Sequence, residues 1–594
     1  MSYTMYTPLN VWLDPASVTD VVAYIQTYLS ENTIYSESEI ETIIHDYLIA
    51  HPELIGGVQS VNGKTGTVVL SASDINTENN VTIESVLASL SSQISSIAAS
   101  VATNTTNITS LTGRVSTAET DLANLKSSLE AAVNGHHYGV RWDKASAQMT
   151  RTGLAADITT TTTNFKHSGS VNANYNNPFD SIYPWSGRKL CNISLNAYRV
   201  LQSGDSITDC VVAWEGDPDF SYEHEDGVWV YTPEFWGTSY DEGGYRYFDV
   251  CDKPITGYVH YPAHITARNL GVKETRTIDG ASKAIVLPKL GMPCVREEMS
   301  TIHTYAKNGG MTLDSIYSLD ASILLMLVEF ANYNSQSAIG QGTVSLYYEN
   351  DAGLIQEAAT SSTVIKVLAS QAQALAIPGA IIDIGTSKGG NQVGTYHVVS
   401  ASTSGTITSI TLNEAVTVTT EHFYAIHGRI IVSDESIGSM SGYIGTDGKC
   451  DAYYRGESLW GNMWKYVLGA YKNTDEHVYL AATDADADNY DAINTSVHLD
   501  TGVVLSTKQN YIKTLGFPEQ SGRLAAPCFC TEVGGSSSAP VGDYFYTNVG
   551  NARVLFVGGL AGSGAPAGLF CWRWSSPAVT SAWSSAGRPR LLNP

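Results

Sequence analysis

The chain has 594 residues, 58 of them Asp or Glu against 33 Lys or Arg, giving a formal charge of −25 with only 15% charged residues. Such a length implies several domains, and 43% hydrophobic with 10% aromatic residues supplies ample packed core, which excludes disorder of the whole chain. The acidic balance, without a Lys/Arg cluster to override it, argues against a nucleic-acid partner. The 52 Gly, 34 Tyr and long Ser/Thr/Asn stretches describe a surface that is polar without being charged. The opening MSYTMYTPLNVWL lacks a basic region followed by an apolar run, so no secretory signal is expected. No uninterrupted apolar stretch of about 18 residues stands in the sequence, so no membrane insertion is expected either. The eight Cys lack paired C-x-x-C spacing and are expected to be free, buried thiols.

Residues 1–56 hold two helical patterns, Val18–Leu29 and Glu37–Ile49, the second stopped by His51-Pro52, and form an expected helical docking unit. Residues 57–80 contain Val58–Ile75, whose apolar runs flank Asn62-Gly63, a hairpin signal. Gly63-Lys64-Thr65 is not a phosphate loop, because the Gly that such a loop needs is replaced by Val58. Across 81–134 the apolar positions run Ile83, Leu87, Leu90, Ile94, Ile97, Val101, then Asn104, then Ile108, Leu111, Val115, Ala118, Leu122, Leu125, Leu129 and Ala132. This alternating spacing of three and four is a coiled-coil seam, so the chain is expected to be oligomeric. Its β-branched residues at alternate seam positions are compatible with a dimer, in which Asn104 would set the register. Asn104 also resembles the inward Asn of trimeric bacterial adhesin stalks, and that resemblance implies a homotrimer with a central anion.

The head is expected in two parts, 135–333 and 434–594, interrupted by an all-β module at 334–433 that is rich in Val, Ile and Thr, as in Thr406–Val418. One helix is clear near Ser318–Tyr333, apolar nearly all round and therefore buried. His136 and His137 open the head, and in a trimer six histidines near an axis are either a metal site or a structural pair; no metal is assigned. Asp484, Asp486, Asp488 and Asp491 alternate as in a calcium loop. The EF-hand positions for Gly and Glu hold Asn489 and Thr495, so the choice between an irregular calcium site and a solvated acidic loop stays open. Acidic pairs such as Asp217/Asp219 and Glu223/Glu225, in the aromatic-rich stretch between Trp214 and Trp236, are compatible with glycoside cleavage but commoner as plain loop carboxylates, and Gly562-Ser563-Gly564 is too short for a nucleophile elbow. No catalytic residue and no cofactor is assigned, and the chain is not expected to be an enzyme.

The C-terminal segment runs from Arg553 through Gly558-Gly559 and Trp572-Arg573-Trp574 to Arg588-Pro589-Arg590. Apolar anchors (Val554, Phe556, Leu569, Phe570, Leu591) alternate with small residues from which Trp572, Trp574 and Trp583 either project or turn inward. Projecting aromatics on such a background suit adaptable binding.

The hairpin followed by a coiled coil resembles the shaft of bacteriophage tail-fibre proteins. The stretches Tyr138–Asp143, Asn177–Trp185, Phe330–Gly342 and Tyr454–Trp464 are similar to phage proteins with a C-type lectin head of the formylglycine-generating-enzyme type. The ending RVLFVGG…AGLFCWRW…GRPRLL is similar to the variable region of proteins diversified by retroelements. Lys465, after Gly461-Asn462-Met463-Trp464, departs from that family, which often has an acidic residue there. The resemblance implies diversified receptor contacts at Leu560, Ala561, Gly562, Ser563, Pro566, Arg573, Ser575, Ser576, Thr580, Trp583 and Ser584. It also implies a multidomain chain: N-terminal helices and hairpin, a trimeric coiled-coil stalk, and an α+β C-type lectin-like head with an inserted β module. The expected function is host attachment by a virion-exposed fibre, docked to other virion proteins through its N-terminus and binding a bacterial surface protein or glycan. A structural head fibre or collar whisker, and a tail-spike depolymerase, are the alternatives.

Overall fold

The computed structural model describes residues 82–593, except 160–165, 168–176, 290, 292, 341, 343, 345–352, 373–377, 379, 388–389, 430–442, 445–450, 489–496, 519–523, 561 and 583. The expected N-terminal helices and the 57–80 hairpin lie outside the described residues. The chain divides into two units, residues 1–129 and 130–594.

The seam spacing does form one continuous helix, Ile83–Asn134, of 52 residues, a rod of about 78 Å at ~1.5 Å per residue. Thr82 caps its start, accepting from the Ser85 amide at 3.1 Å through its hydroxyl. Threonine is a poor helix former, yet here each of Thr103, Thr105, Thr106, Thr109, Thr112, Thr117 and Thr120 donates its hydroxyl to the carbonyl four residues back. That satisfies the hydroxyls within the helix and leaves the rod polar with few charged side chains. Leu90, Ile97, Ile108, Leu111, Val115, Leu122 and Leu125 are all exposed. Such a stripe on a single helix calls for a partner.

In the second unit, β-sheets surround one buried helix. A five-stranded antiparallel sheet is built from Met149–Gly153, His137–Asp143, Tyr245–Cys251, Phe235–Glu242 and Val259–Tyr261, in that order. A six-stranded sheet contains Lys189–Ile193, Trp229–Thr232 and His264–Ala267, and its strand Pro589–Leu591 comes from the chain's end. The largest sheet has nine strands, with Trp464–Lys472, Arg553–Val557, Trp572–Trp574 and Tyr544–Thr547 side by side.

The expected helix is present as Ile316–Phe330 and ends where Ala331 takes φ 50°. Its apolar side chains pack with Val140, Phe248, Trp460 and Leu555. Its buried polar groups are all matched. Glu329 accepts from Arg455 Nε and Nη2, both at 2.8 Å, and from the Tyr454 hydroxyl at 2.8 Å. Asp320 accepts from the Ala525 and Ala526 amides at 2.8 and 2.9 Å and from the Tyr261 hydroxyl. Ser322 donates to Glu457 at 2.6 Å. Each match lowers the cost of burying polarity in this core.

The inserted β module is a five-stranded antiparallel sheet, in the order Ala359–Leu368, Ile407–Val418, Gly390–Ser404, Ala380–Ser387, Phe423–Arg429. It has its own core, including Ile365, Val367, Ile382, Ile384, Ile410 and Leu412. Seven cysteines, all buried and free, stand among the described residues.

Candidate functional site

The C-terminal segment is threaded through the middle of the head. Strand Arg553–Val557 pairs with Trp464–Lys472 in the register Tyr466↔Phe556, and Phe556 in turn faces Arg573 across the next strand. Arg573 faces Tyr546 across the strand after that, so Tyr466, Phe556, Arg573 and Tyr546 form one row across four strands. Trp464 meets Tyr546 edge-on at 5.6 Å, and Tyr466 lies 4.7 Å from Phe556.

Trp572 and Trp574 are 2% and 0% exposed and pack against Phe529, so they belong to the core and do not project. The anchors Val554, Phe556, Leu569, Phe570 and Leu591 are buried as their alternation implies. The Gly558-Gly559 pair is required by the backbone. Both have positive φ, and a Cβ at Gly558 would lie 2.8 Å from the Leu459 carbonyl oxygen.

Two loops leave this framework. In the first, Leu560 and Ser563 close a turn, with the Ser563 hydroxyl accepting from the Leu560 amide at 2.9 Å. The Gly564 amide donates to the Val344 carbonyl at 2.7 Å, and the Leu569 and Phe570 amides reach Ser335 and Asp543 at 2.9 and 2.7 Å. In the second, the Tyr466 hydroxyl donates to the Thr580 carbonyl at 2.8 Å, and the Met299 and Arg296 amides donate to the carbonyls of Ala578 and Ala582 at 3.2 and 3.0 Å. Apart from Ser563, Ser575, whose hydroxyl accepts from Arg573 Nε at 2.7 Å, and Ser581, whose hydroxyl donates to the Arg296 carbonyl at 2.6 Å, these loops are fastened mainly by their own main chain. Many of their side chains are therefore free to differ without loosening the fold.

Of the positions marked from the sequence, Leu560, Gly562, Ser563, Pro566, Arg573, Ser575 and Thr580 are half-buried at this surface. Ser576 and Ser584, 4% and 8% exposed, lie beneath it, so their direct contact with a ligand is corrected. Ala561 and Trp583 lie outside the described residues. The most exposed loop positions, Ala565, Pro577, Val579 and Ser581, were missed. They sit between marked positions on loops with no periodicity, so the sequence offers no signal by which to rank exposure there.

Behind the face, Lys465 is buried. Its ammonium donates to the Gly461 and Met463 carbonyls at 3.1 and 3.4 Å and lies 4.0 Å from Asp451. Burial pushes its pKa down to about 8, with Asp451 pulling the other way. The terminal motif is structural as well. Arg588 Nη1 donates to the Ser458 carbonyl at 2.7 Å, and Nη2 donates to Glu457 at 2.6 Å and to Asp314. Arg590 pairs with Asp484.

That last pair bears on the acidic loop. Asp484 also accepts from Ser315 at 2.7 Å, while Asp488 is engaged by Lys307, His303 and Thr312. These carboxylates are thus neither a solvated loop nor oxygens turned toward an ion; Asp491 lies outside the described residues. His136 and His137 pair with Asp252 at 2.7 Å and Asp249 at 2.6 Å. Asp217, Asp219, Glu223 and Glu225 are exposed in surface turns. No group of His, Cys, Asp and Glu suited to a metal occurs among the described residues. No protein-family model matches the chain, and no curated protein is significantly similar to it.

Proposed function

We propose that the chain is the adhesive fibre of a bacteriophage virion, a homotrimer whose stalk carries three heads of C-type lectin type and whose C-terminal loops bind a receptor on the bacterial surface. One observation carries the reading. The described residues between Leu560 and Pro566 and between Pro577 and Ala582 are held mainly by their main chain beside a buried sheet, so most of their side chains can be rewritten while the fold persists. This is the property that a diversified binding surface needs, and it agrees with the similarity of this ending to retroelement-varied proteins. The exposed apolar stripe of the long helix supports oligomerisation. By length and apolar content that helix also qualifies as a membrane span. Its seam, however, repeats over about 50 residues, where a bilayer core of about 30 Å takes roughly 20. Three heads on one stalk raise avidity without new contacts, which suits loops made of small side chains.

Exchange of residues 553–594 between two natural variants tests the proposal. Adsorption of the purified protein to bacterial cells should follow the exchanged segment. Adsorption that stays with the rest of the chain removes the assigned face.

A further inference from the structure

The loop-bearing sheet presents positive charge that no described carboxylate neutralises. With 58 acidic and 33 basic residues, a guanidinium here is expected to find a carboxylate, and Arg188, Arg455, Arg588 and Arg590 all do. Arg573 does not. Its guanidinium carbon lies 5.4 Å from the centre of the Trp464 ring and 5.9 Å from that of Phe556. Its Nε donates to the Ser575 hydroxyl at 2.7 Å, while Nη1 and Nη2 bond to no described residue. Burial lowers its pKa, opposed only by Tyr546, Cys571 and Tyr466, so the charge is partly desolvated without a counter-ion. Arg553 is similar: its Nε donates to the Ser575 carbonyl at 3.3 Å and its Nη1 to the Ala552 carbonyl at 2.7 Å, with no carboxylate among the described residues. Two guanidiniums therefore converge on Ser575.

Tyrosines continue the row. Tyr546 lies 4.7 Å from Tyr544, which lies 5.4 Å from Tyr511. All three are half-buried, and their hydroxyls bond to no described residue. We infer that Arg573 and Arg553 bind the anionic group of a charged surface polysaccharide, a carboxylate or a phosphate, while Tyr546, Tyr544 and Tyr511 contact its sugar rings. A planar guanidinium with both terminal nitrogens free matches a carboxylate or phosphate in bidentate fashion, and the ligand's anion supplies the missing partner. The tyrosines offer flat apolar surface with a polar tip. This inference rests on the C-terminal face being the receptor-binding face. It names the ligand class for this variant, because Arg573 stands at a position marked as diversified and Arg553 does not.

The test measures binding of the full chain to surfaces coated with polygalacturonate, polyphosphate or dextran, at low and high salt. One of the two anionic surfaces should bind at least about tenfold better than dextran, with the preference lost at high salt. Preference for polygalacturonate assigns a carboxylate, and preference for polyphosphate assigns a phosphate. Arg573→Gln should weaken that binding about tenfold or more, and Arg573→Lys, which keeps the charge without the fork, should fall between. Matching urea midpoints for the three proteins show that the fold is intact. Equal binding to dextran overturns the inference, as does anionic binding that Arg573→Gln leaves unchanged. If segment exchange moves cell adsorption while Arg573→Gln changes nothing, only the anion assignment fails. If exchange moves nothing, the receptor-face reading fails with it.

Discussion

Arg588→Gln isolates what the chain's terminal motif contributes to the head. Arg588 is 1% exposed and bridges two buried carboxylates, Glu457 at 2.6 Å and Asp314, while its other terminal nitrogen holds the Ser458 carbonyl at 2.7 Å. Removing one member of such a buried group leaves charge uncompensated, at a cost of about 3–5 kcal/mol. A glutamine that keeps one hydrogen bond returns about 1 kcal/mol, so the expected loss is roughly 2–4 kcal/mol. Glu457 remains partly matched by Arg188 and by Ser322 at 2.6 Å, whereas among the described residues Asp314 keeps only the Ser318 hydroxyl. The assay is urea unfolding at a fixed protein concentration, because oligomer stability depends on concentration. The acid edge provides a second readout. Burial raises the Glu457 pKa, but Arg588 and Arg188 overcome it and hold the carboxyl well below its usual range. Its stabilisation is therefore complete above the unfolded value, near 4.3, and is lost as pH falls through the lower folded value. Without Arg588 the folded value rises, and loss of stability should begin at higher pH. A change under about 1 kcal/mol with an unmoved acid edge would refute the reasoning.

Further outcomes follow from the same geometry. If the exposed stripe of the long helix is the oligomer contact proposed above, replacing Leu111 and Leu122 with Asp should give a monomer in light scattering, while an unchanged oligomeric mass would place the contact elsewhere. Trp574→Ala should cost about 3–5 kcal/mol in urea unfolding, against less than about 0.5 kcal/mol for Pro577→Ala on the exposed loop. Burial pushes the Asp320 carboxyl up to about 7, against the hydrogen bonds from Tyr261, Ala525 and Ala526. A raised acid withdraws stability as pH climbs from its unfolded value, about 3.9, toward 7. Asp320→Asn should flatten that decline in a pH series of urea midpoints, even though the amide gives up one acceptor. Because the module has its own core, residues 353–429 expressed alone should give dispersed amide resonances, and a collapsed spectrum would show that it depends on the head.

The long helix Ile83–Asn134 was legible because its spacing repeats over many turns, and among the described residues its apolar stripe stays exposed, so no tertiary packing overrides the pattern. The helix near 318–333 was legible because it is apolar on every side. The inserted module announced itself through Val, Ile and Thr content, although its described strands begin at Ala359, well inside the expected boundary. The loops of the C-terminal face lack any period. There the sequence could mark resemblance but not exposure, which is why Ser576 and Ser584 proved buried while Ala565 and Val579 were overlooked. The sequence left Trp572 and Trp574 open between projecting and turning inward; strand alternation puts both on the face opposite Arg573, where they pack into the core beside Phe529. The sequence left the acidic loop open between a calcium site and a solvated loop, because the partners that engage Asp484 and Asp488, Arg590, Lys307 and His303, arrive from distant segments.

The central claim is that the two small-residue loops contact the receptor. The direct measurement is binding of the labelled full chain to bacterial cells, wild type against a variant carrying Ala565→Asp, Pro577→Asp and Val579→Asp, with oligomeric mass and urea midpoint checked in parallel. These three positions are exposed, so mass should be unchanged and stability should change by no more than about 1.5 kcal/mol for the three together. Cell binding should be lost, and binding that persists at wild-type strength would contradict the account.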